Sequence, residues 1–295
     1  MNSGSAVKVY VENFLPDSAI TRIADALKKY LPQEHELVNS KDDADFVVVC
    51  AYGHRRSMKY YTERLLKQNK KYAIVQLSVR STPNPGTQDW LPIWEKAKLV
   101  WSYYDLHLLC KEDGTLPNFN FYHAPLGVDS EIFKETKSER NFIIASTGNG
   151  RRWNKECKAE IMLAAEKTGK KVFHLGPGEN NGTITYSNGM NDGTLATYYS
   201  QCEFVSGLRR VEGFELPVIE GLLCGARPIC FDRQHYKQWF EGLAEFIPED
   251  EKRVESIQNI FTKGARPVTE KEKEYVRTHF NWKEITGEFW KQALI

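Results

Sequence analysis

Short, unbroken apolar runs recur along the chain with helical segments between them, and this alternation limits the fold more than any other feature. Asp45-Phe46-Val47-Val48-Val49-Cys50 and Tyr72-Ala73-Ile74-Val75-Gln76-Leu77 show almost no polar alternation, the pattern of strands covered on both faces. Val7-Lys8-Val9-Tyr10-Val11 alternates and predicts a first strand. Pro16-Asp17-Ser18 then opens a helix with Ile20, Ile23, Ala24 and Leu27 at helical spacing. Met58 to Gln68 reads as helix, Ser81 to Asp89 as loop, Trp94 to Lys98 as a short helix and Leu99-Val100-Trp101-Ser102 as a strand. Strand and helix in strict succession predict a parallel sheet with helices on both faces.

Near residue 127 the succession restarts. Phe142-Ile143-Ile144-Ala145 predicts a strand, followed by the loop Thr147-Gly148-Asn149-Gly150 and a helix from about Asn154 to Lys167. Lys171 to Leu175 predicts a strand that ends in Gly176-Pro177-Gly178. Thr183 to Tyr186 is a short strand, Leu195 to Gln201 a helix and Glu203 to Ser206 a strand. Pro217 to Leu223 is a helix, and Pro228 to Phe231 a further strand. Trp282, Ile285, Phe289 and Trp290 give the last segment one apolar face. The expected fold is α/β, with two Rossmann-like domains at 1–127 and 128–275. The segment 276–295 forms a closing helix that either stays with the second domain or crosses back to the first.

With 41 % hydrophobic and 27 % charged residues, the 295-residue chain has material for a real core, which excludes disorder as its main state. Its 40 basic and 39 acidic residues leave a net charge of +1, which excludes a nucleic-acid binder of the strongly basic kind. Local basic clusters remain at His54-Arg55-Arg56 and Lys67 to Lys71, with Tyr60, Tyr61, Trp90, Trp94 and Trp101 in the same half. The six cysteines show no C-x-x-C spacing and read as buried free thiols rather than disulfides or a metal site. The start, MNSGSAVKVYVENF, has no apolar signal core, and the longest apolar runs fall far short of the ~20 residues of a membrane span. A soluble, cytoplasmic protein is expected, one that can still act on a membrane-surface acceptor.

The most informative stretch is EFVSGLRRVEGFELPVIEGLLCGARPICF, residues 203–231. A buried strand ends in a loop holding Arg209, Arg210, Glu212, Gly213 and Phe214, and a helix starts at about Pro217, a residue favoured in a first helical turn. The N–H groups and dipole of that helix end suit a phosphate, and Gly213 lets backbone approach a ligand closely. Glu220, about one turn in, is placed to accept hydrogen bonds from a vicinal diol such as a ribose. Gly225 is expected to end the helix with positive φ. In the first half, strand ends carry His54, Arg55, Arg80, Asp89 and Trp90, where sheets of this type bind ligands.

Glu212-Gly213-Phe214-Glu215-Leu216-Pro217-Val218-Ile219-Glu220, followed by Gly225 and Pro228, resembles the E-G-F-G-L-P-x-x-E phrase of the retaining glycosyltransferases of family 4, which have two Rossmann domains facing across a cleft, the GT-B type. Further segments align in order. His123-Ala124-Pro125-Leu126-Gly127-Val128-Asp129 to Phe133 resembles the linker into the second domain, Gly176-Pro177-Gly178 the turn after its second strand, and Phe280-Asn281-Trp282 the closing F-x-W. Two departures stand out: Glu12 to Pro16 lacks the Gly-Gly pair of the first domain, and Glu215 replaces a glycine.

The resemblance implies transfer of a sugar, with retention, from a nucleotide diphosphate sugar, UDP- or GDP-linked, to a hydroxyl acceptor. It implies no cofactor and no metal, cations and helix dipoles stabilising the leaving diphosphate instead. Arg152, or its neighbour Arg151, and Lys155 would clamp the diphosphate, with Gly148 and Gly150 in the same loop. Glu212 would orient the sugar and Glu220 bind the ribose. The backbone of Gly213, Phe214 and Leu216 would meet phosphate or sugar, the Phe214 ring otherwise packing under the loop; Glu215 would touch donor or acceptor, or else be a surface carboxylate; and Gly189 and Met190 would meet the base. His54 counts with Glu212, Arg152 and Lys155 as catalytic, His54 or Arg55 would meet the acceptor or the transferred sugar, and Arg55, Arg80 and Asp89 fall on the acceptor side. The acceptor itself stays open among polysaccharide, glycolipid, protein and a nucleic-acid base. A second reading is a non-catalytic sugar-nucleotide-binding or scaffold protein on the same fold.

Overall fold

The continuous apolar strands assemble into two separate six-stranded sheets, both wholly parallel. The structure is a computed structural model that describes residues 6–13, 19–51, 64, 66–67, 70–79, 86–148, 157–187, 189–210 and 213–295. It divides into two compact units, one of residues 1–126 with 282–295 and the other of residues 127–281.

In the first unit the strands are β1 (Lys8–Glu12), β2 (Glu36–Leu37), β3 (Phe46–Ala51), β4 (Lys71–Gln76), β5 (Val100–Ser102) and β6 (Phe121–His123), in the order β2-β1-β3-β4-β5-β6. Its helices include α1 (Ala19–Lys29), α2 (Thr87–Trp94) and α3 (Leu106–Glu112). Side chains alternate across a strand, and Val47, Val49 and Ala51 of β3 join Tyr72 and Ile74 of β4 in one core with Trp90, Ile93 and Trp94 of α2. The buried polar groups there are paired: Trp94 Nε1 donates to Gln76 Oε1 at 2.9 Å and the Tyr72 hydroxyl to Ile93 O at 2.7 Å. The expected loop through Asp89 and helix from Trp94 to Lys98 are corrected, since the helix begins at Thr87 and ends at Trp94. Asp89 caps it by accepting from Gly86 N–H at 3.1 Å, and Pro92 hides the periodicity that Trp90, Ile93 and Trp94 supply. The helix expected over Met58 to Gln68 lies almost wholly outside the described residues.

The second unit holds β7 (Phe142–Thr147), β8 (Val172–Leu175), β9 (Ile184–Ser187), β10 (Cys202–Gly207), β11 (Arg227–Phe231) and β12 (Glu245–Ile247), in the order β12-β11-β10-β7-β8-β9. This is the strand order of a Rossmann sheet, entered at its centre by β7 and extended to either side. The helices are α4 (Lys158–Thr168), α5 (Asp192–Ser200), α6 (Leu216–Leu223), α7 (Gln234–Phe240), α8 (Arg253–Lys263) and α9 (Glu270–His279). α4 packs with α8, and α6 with α5 and α9, so both faces are covered. α6 lies hard against β10 because two glycines permit it. A Cβ on Gly221 would meet the Val205 side chain at 2.6 Å, and one on Gly207 would meet Val218 Cγ2 at 2.7 Å. Gly225 follows the helix at φ 88°, the positive-φ cap that the sequence implies.

The last helix, α10 (Trp282–Ala293), belongs to the first unit. Its Phe289 ring lies 5.6 Å from Trp101, and Trp290 Nε1 donates to Leu27 O at 3.1 Å. The chain leaves the first unit after Leu126 and re-enters it at Trp282, and Val128 N–H donates to Phe280 O at 2.8 Å beside these two passages. All six cysteines are free and buried. Burial pushes the thiols up, to about 12 for Cys50 and Cys224 and about 11 for Cys157. No helix among the described residues is long and apolar enough to cross a membrane.

Candidate functional site

In an open parallel sheet the crevice for a ligand lies at the carboxyl ends of the strands, where the order of succession reverses. In the second unit that point lies between β7 and β10, which pair directly. The loops gathered there are Thr147-Gly148 after β7, Gly176 to Gly178 after β8, Gly189-Met190 after β9 and Leu208 to Arg210 after β10. Residues 213–215, leading into α6, belong to the same crest.

Close packing fixes the β7 and β8 ends. Gly148 N–H donates to Leu175 O at 2.9 Å, and a Cβ on Gly176 would meet Gly148 O at 2.1 Å. His174 is buried beneath this turn, with Nε2 3.1 Å from Gly148 O and Nδ1 2.6 Å from Ser146 Oγ. A carbonyl oxygen only accepts, so Nε2 carries a proton and the ring holds the loop in place. Gly189 takes φ 66° with open space where a Cβ would stand, and Asn191 follows as the cap of α5, its Oδ1 accepting from Thr194 N–H at 2.9 Å.

At the start of α6 the expected residues separate by environment. The Phe214 ring packs on Phe240 at 5.2 Å and Phe280 at 5.9 Å, so its side chain belongs to the core and only its backbone is available to a ligand. Leu216 is buried as the first helical residue, with Pro217 next. Glu220 is 2 % exposed, its Oε2 3.5 Å from the Tyr199 hydroxyl. A carboxylate this buried is costly to hold and is a functional candidate on that ground. Glu215 is 3 % exposed and is not a surface carboxylate. Its Oε2 lies 3.3 Å from Arg209 Nε, and its Oε1 accepts from the Tyr236 hydroxyl at 3.4 Å.

Arg209 is the residue whose place the sequence alone does not disclose. Its Nη2 donates to Thr147 Oγ1 at 2.7 Å, so the guanidinium spans the ends of β10 and β7 at the reversal point. Its neighbour Arg210 instead enters a network with Glu160 at 2.6 Å and Glu249 at 3.6 Å, in which Arg253 also meets Glu160 at 3.0 Å. For Glu160, burial raises the carboxyl, and hydrogen bonds from its own backbone, Arg253 and Arg210 outweigh that and lower it.

Glu212, Arg151, Arg152, Lys155, Gly150, His54, Arg55 and Arg80 lie outside the described residues. Asp89 is described, and its carboxylate serves the α2 cap. Among the described residues no group of three His, Cys, Asp or Glu side chains is arranged to hold a metal ion.

No protein-family model matches the chain, and no curated protein matches it in sequence. Solved structures match it in fold. Anabaena HepE, in a structure with UDP and glucose, superposes with a TM-score of 0.73 over 97 % of this chain and 98 % of its own, at 10 % identity. AviGT4, a glycosyltransferase involved in avilamycin A biosynthesis, gives 0.67 over 98 % of this chain and 97 % of its own, at 9 % identity. Sucrose-phosphate synthase from Thermosynechococcus elongatus gives 0.66 over 86 % of this chain and 75 % of its own, at 16 % identity. The fold is the two-domain α/β arrangement of GT-B glycosyltransferases.

Proposed function

We propose that this protein is a glycosyltransferase that moves a sugar from a nucleoside diphosphate sugar to a hydroxyl acceptor. One observation carries the reading. The phrase from Gly213 to Glu220 falls between the carboxyl end of β10 and the first turns of α6, beside the reversal point of a Rossmann-order sheet in a chain with the GT-B fold. Fold likeness alone does not assign an activity; the residues at this crest carry the chemistry.

Glu220 takes the ribose hydroxyls, and its burial keeps water from competing for the carboxylate. The N–H of Leu216 and the dipole of α6 face the developing negative charge of the leaving diphosphate, Pro217 having no N–H and Val218 N–H donating to Glu215 O at 3.1 Å. Gly189 and Met190 meet the base with their backbone. Arg151 or Arg152, with Lys155, neutralises the pyrophosphate through charge-assisted hydrogen bonds, and Glu212 orients the sugar. Transfer proceeds on the front face with retention, the departing phosphate oxygen taking the acceptor proton, and without a bound metal.

Thermal denaturation with UDP, GDP, ADP and their sugars tests the assignment, because a ligand that binds only the folded state raises its melting temperature. The expected result is stabilisation by one nucleotide family and release of that diphosphate from its sugar, undiminished by EDTA. Stabilisation without turnover of any donor would make the chain a binding protein. No stabilisation by any of them would remove the assignment.

A further inference from the structure

We propose that Arg209 is a ligand for the diphosphate of the nucleotide, with Glu215 as the residue that positions it; this rests on the donor site assigned above. Arg209 stands two residues past the end of β10, and its guanidinium reaches Thr147, the last residue of β7, at 2.7 Å. It therefore lies across the mouth of the crevice that the reversal of strand order opens, where sheets of this kind bind phosphate. Glu215 holds Nε from the α6 side at 3.3 Å, and the Tyr236 hydroxyl braces both partners, 3.4 Å from Glu215 Oε1 and 3.3 Å from Arg209 O.

The exposures divide the pair. The Arg209 side chain is 21 % exposed and the Glu215 side chain 4 %, so the cation is the member presented at the crest. Two other arginines of the unit pair with different carboxylates. Arg227 is fully buried and directs all five of its N–H donors at Glu272 and three backbone carbonyls. Arg210 is tied between Glu160 and Glu249. Arg209 is held by Glu215 on the α6 side and by the Thr147 hydroxyl at the end of β7, contacts that orient its planar fork. Preorganisation of that kind lets a charged donor meet a diphosphate without first losing side-chain freedom. Gly148, which follows Thr147, takes φ 143°, a conformation that favours glycine.

The test is calorimetric titration of whichever of UDP, GDP or ADP binds the wild type, alongside its own phosphate-free nucleoside. Arg209→Ala is expected to weaken diphosphate binding about 10- to 100-fold, the range for losing a charge-assisted hydrogen bond, and to leave nucleoside binding unchanged. Arg209→Lys recovers part of the loss, because it keeps the charge and loses the fork. Glu215→Gln loses about 3- to 10-fold for the diphosphate alone, as a slackened positioning contact requires. The double variant Arg209→Ala/Glu215→Gln removes the buried carboxylate charge that the single change leaves without Arg209, and is expected to match Arg209→Ala in affinity while melting closer to the wild type. Diphosphate affinity within twofold of wild type in both alanine variants overturns this inference and leaves the donor site standing. Equal loss for diphosphate and nucleoside makes the pair structural and also overturns it. A wild type that binds none of the three diphosphates overturns the donor site and this inference together.

Discussion

Replacing Glu272 with Gln should cost stability at neutral pH and should cost progressively less in acid. Arg227 sits in a central strand with no exposure, and Glu272 grips it with both oxygens, at 2.7 and 3.1 Å. Burial alone would raise the Glu272 carboxyl. The hydrogen bonds from Arg227 and Thr269 outweigh it and bring the group from 4.5 down to about 2. The group is therefore ionised in the folded protein over a range where the unfolded chain takes up a proton. The stabilisation it provides is complete above about 4.5 and fades as pH falls toward about 2. That gap, at about 1.36 kcal/mol per tenfold change in proton affinity, amounts to at most about 3 kcal/mol. Glu272→Gln also strands a buried guanidinium, a loss of about 3–5 kcal/mol at pH 7. Urea unfolding of both proteins at pH 7, 4.5 and 3 measures it. The two stabilities should converge as the pH drops. Parallel profiles between pH 4.5 and 3 would refute the argument, because the Gln side chain has no proton to gain.

Gly221→Val puts branched carbon where even a Cβ would lie 2.6 Å from Val205, so α6 must shift off β10; overpacking of this kind costs about 1–3 kcal/mol, read as a lowered midpoint in urea. Glu220→Gln should weaken nucleoside diphosphate binding about tenfold or more with an unchanged melting temperature; equal affinity by calorimetry would take Glu220 out of the site. The six thiols, all buried and all displaced upward by burial, should resist a thiol reagent at pH 8 until denaturant is added; fast labelling of any of them in the native protein would contradict the packing.

Much of the sheet architecture was legible because buried parallel strands leave unbroken apolar runs, as at Phe46–Ala51 and Cys202–Gly207. β2 left no such trace: Glu36 and Leu37 form a two-residue edge strand, both exposed. α9 was equally silent, since Glu270–His279 is a mostly charged surface helix that buries only Lys273 and Val276. The crest of the second unit was readable where local chemistry dictates it. Glycines and a proline must bracket α6, and a carboxylate must lie one turn in. The Arg209–Thr147 contact joins residues 62 apart in sequence, and Tyr236 comes from a helix three elements past Arg209. No short pattern records such a meeting. Arg227 escaped notice for the same reason, because its neutralising carboxylate comes 45 residues later.

The assignment of α10 to the first unit has a consequence for biosynthesis. The ribosome delivers β1 through β6 first, yet the Phe289 and Trp290 rings that complete their packing emerge after the entire second unit. The portion made earliest is thus the last that can finish folding. Until α10 emerges, Trp101 and Leu27 O lack the partners that Phe289 and Trp290 supply.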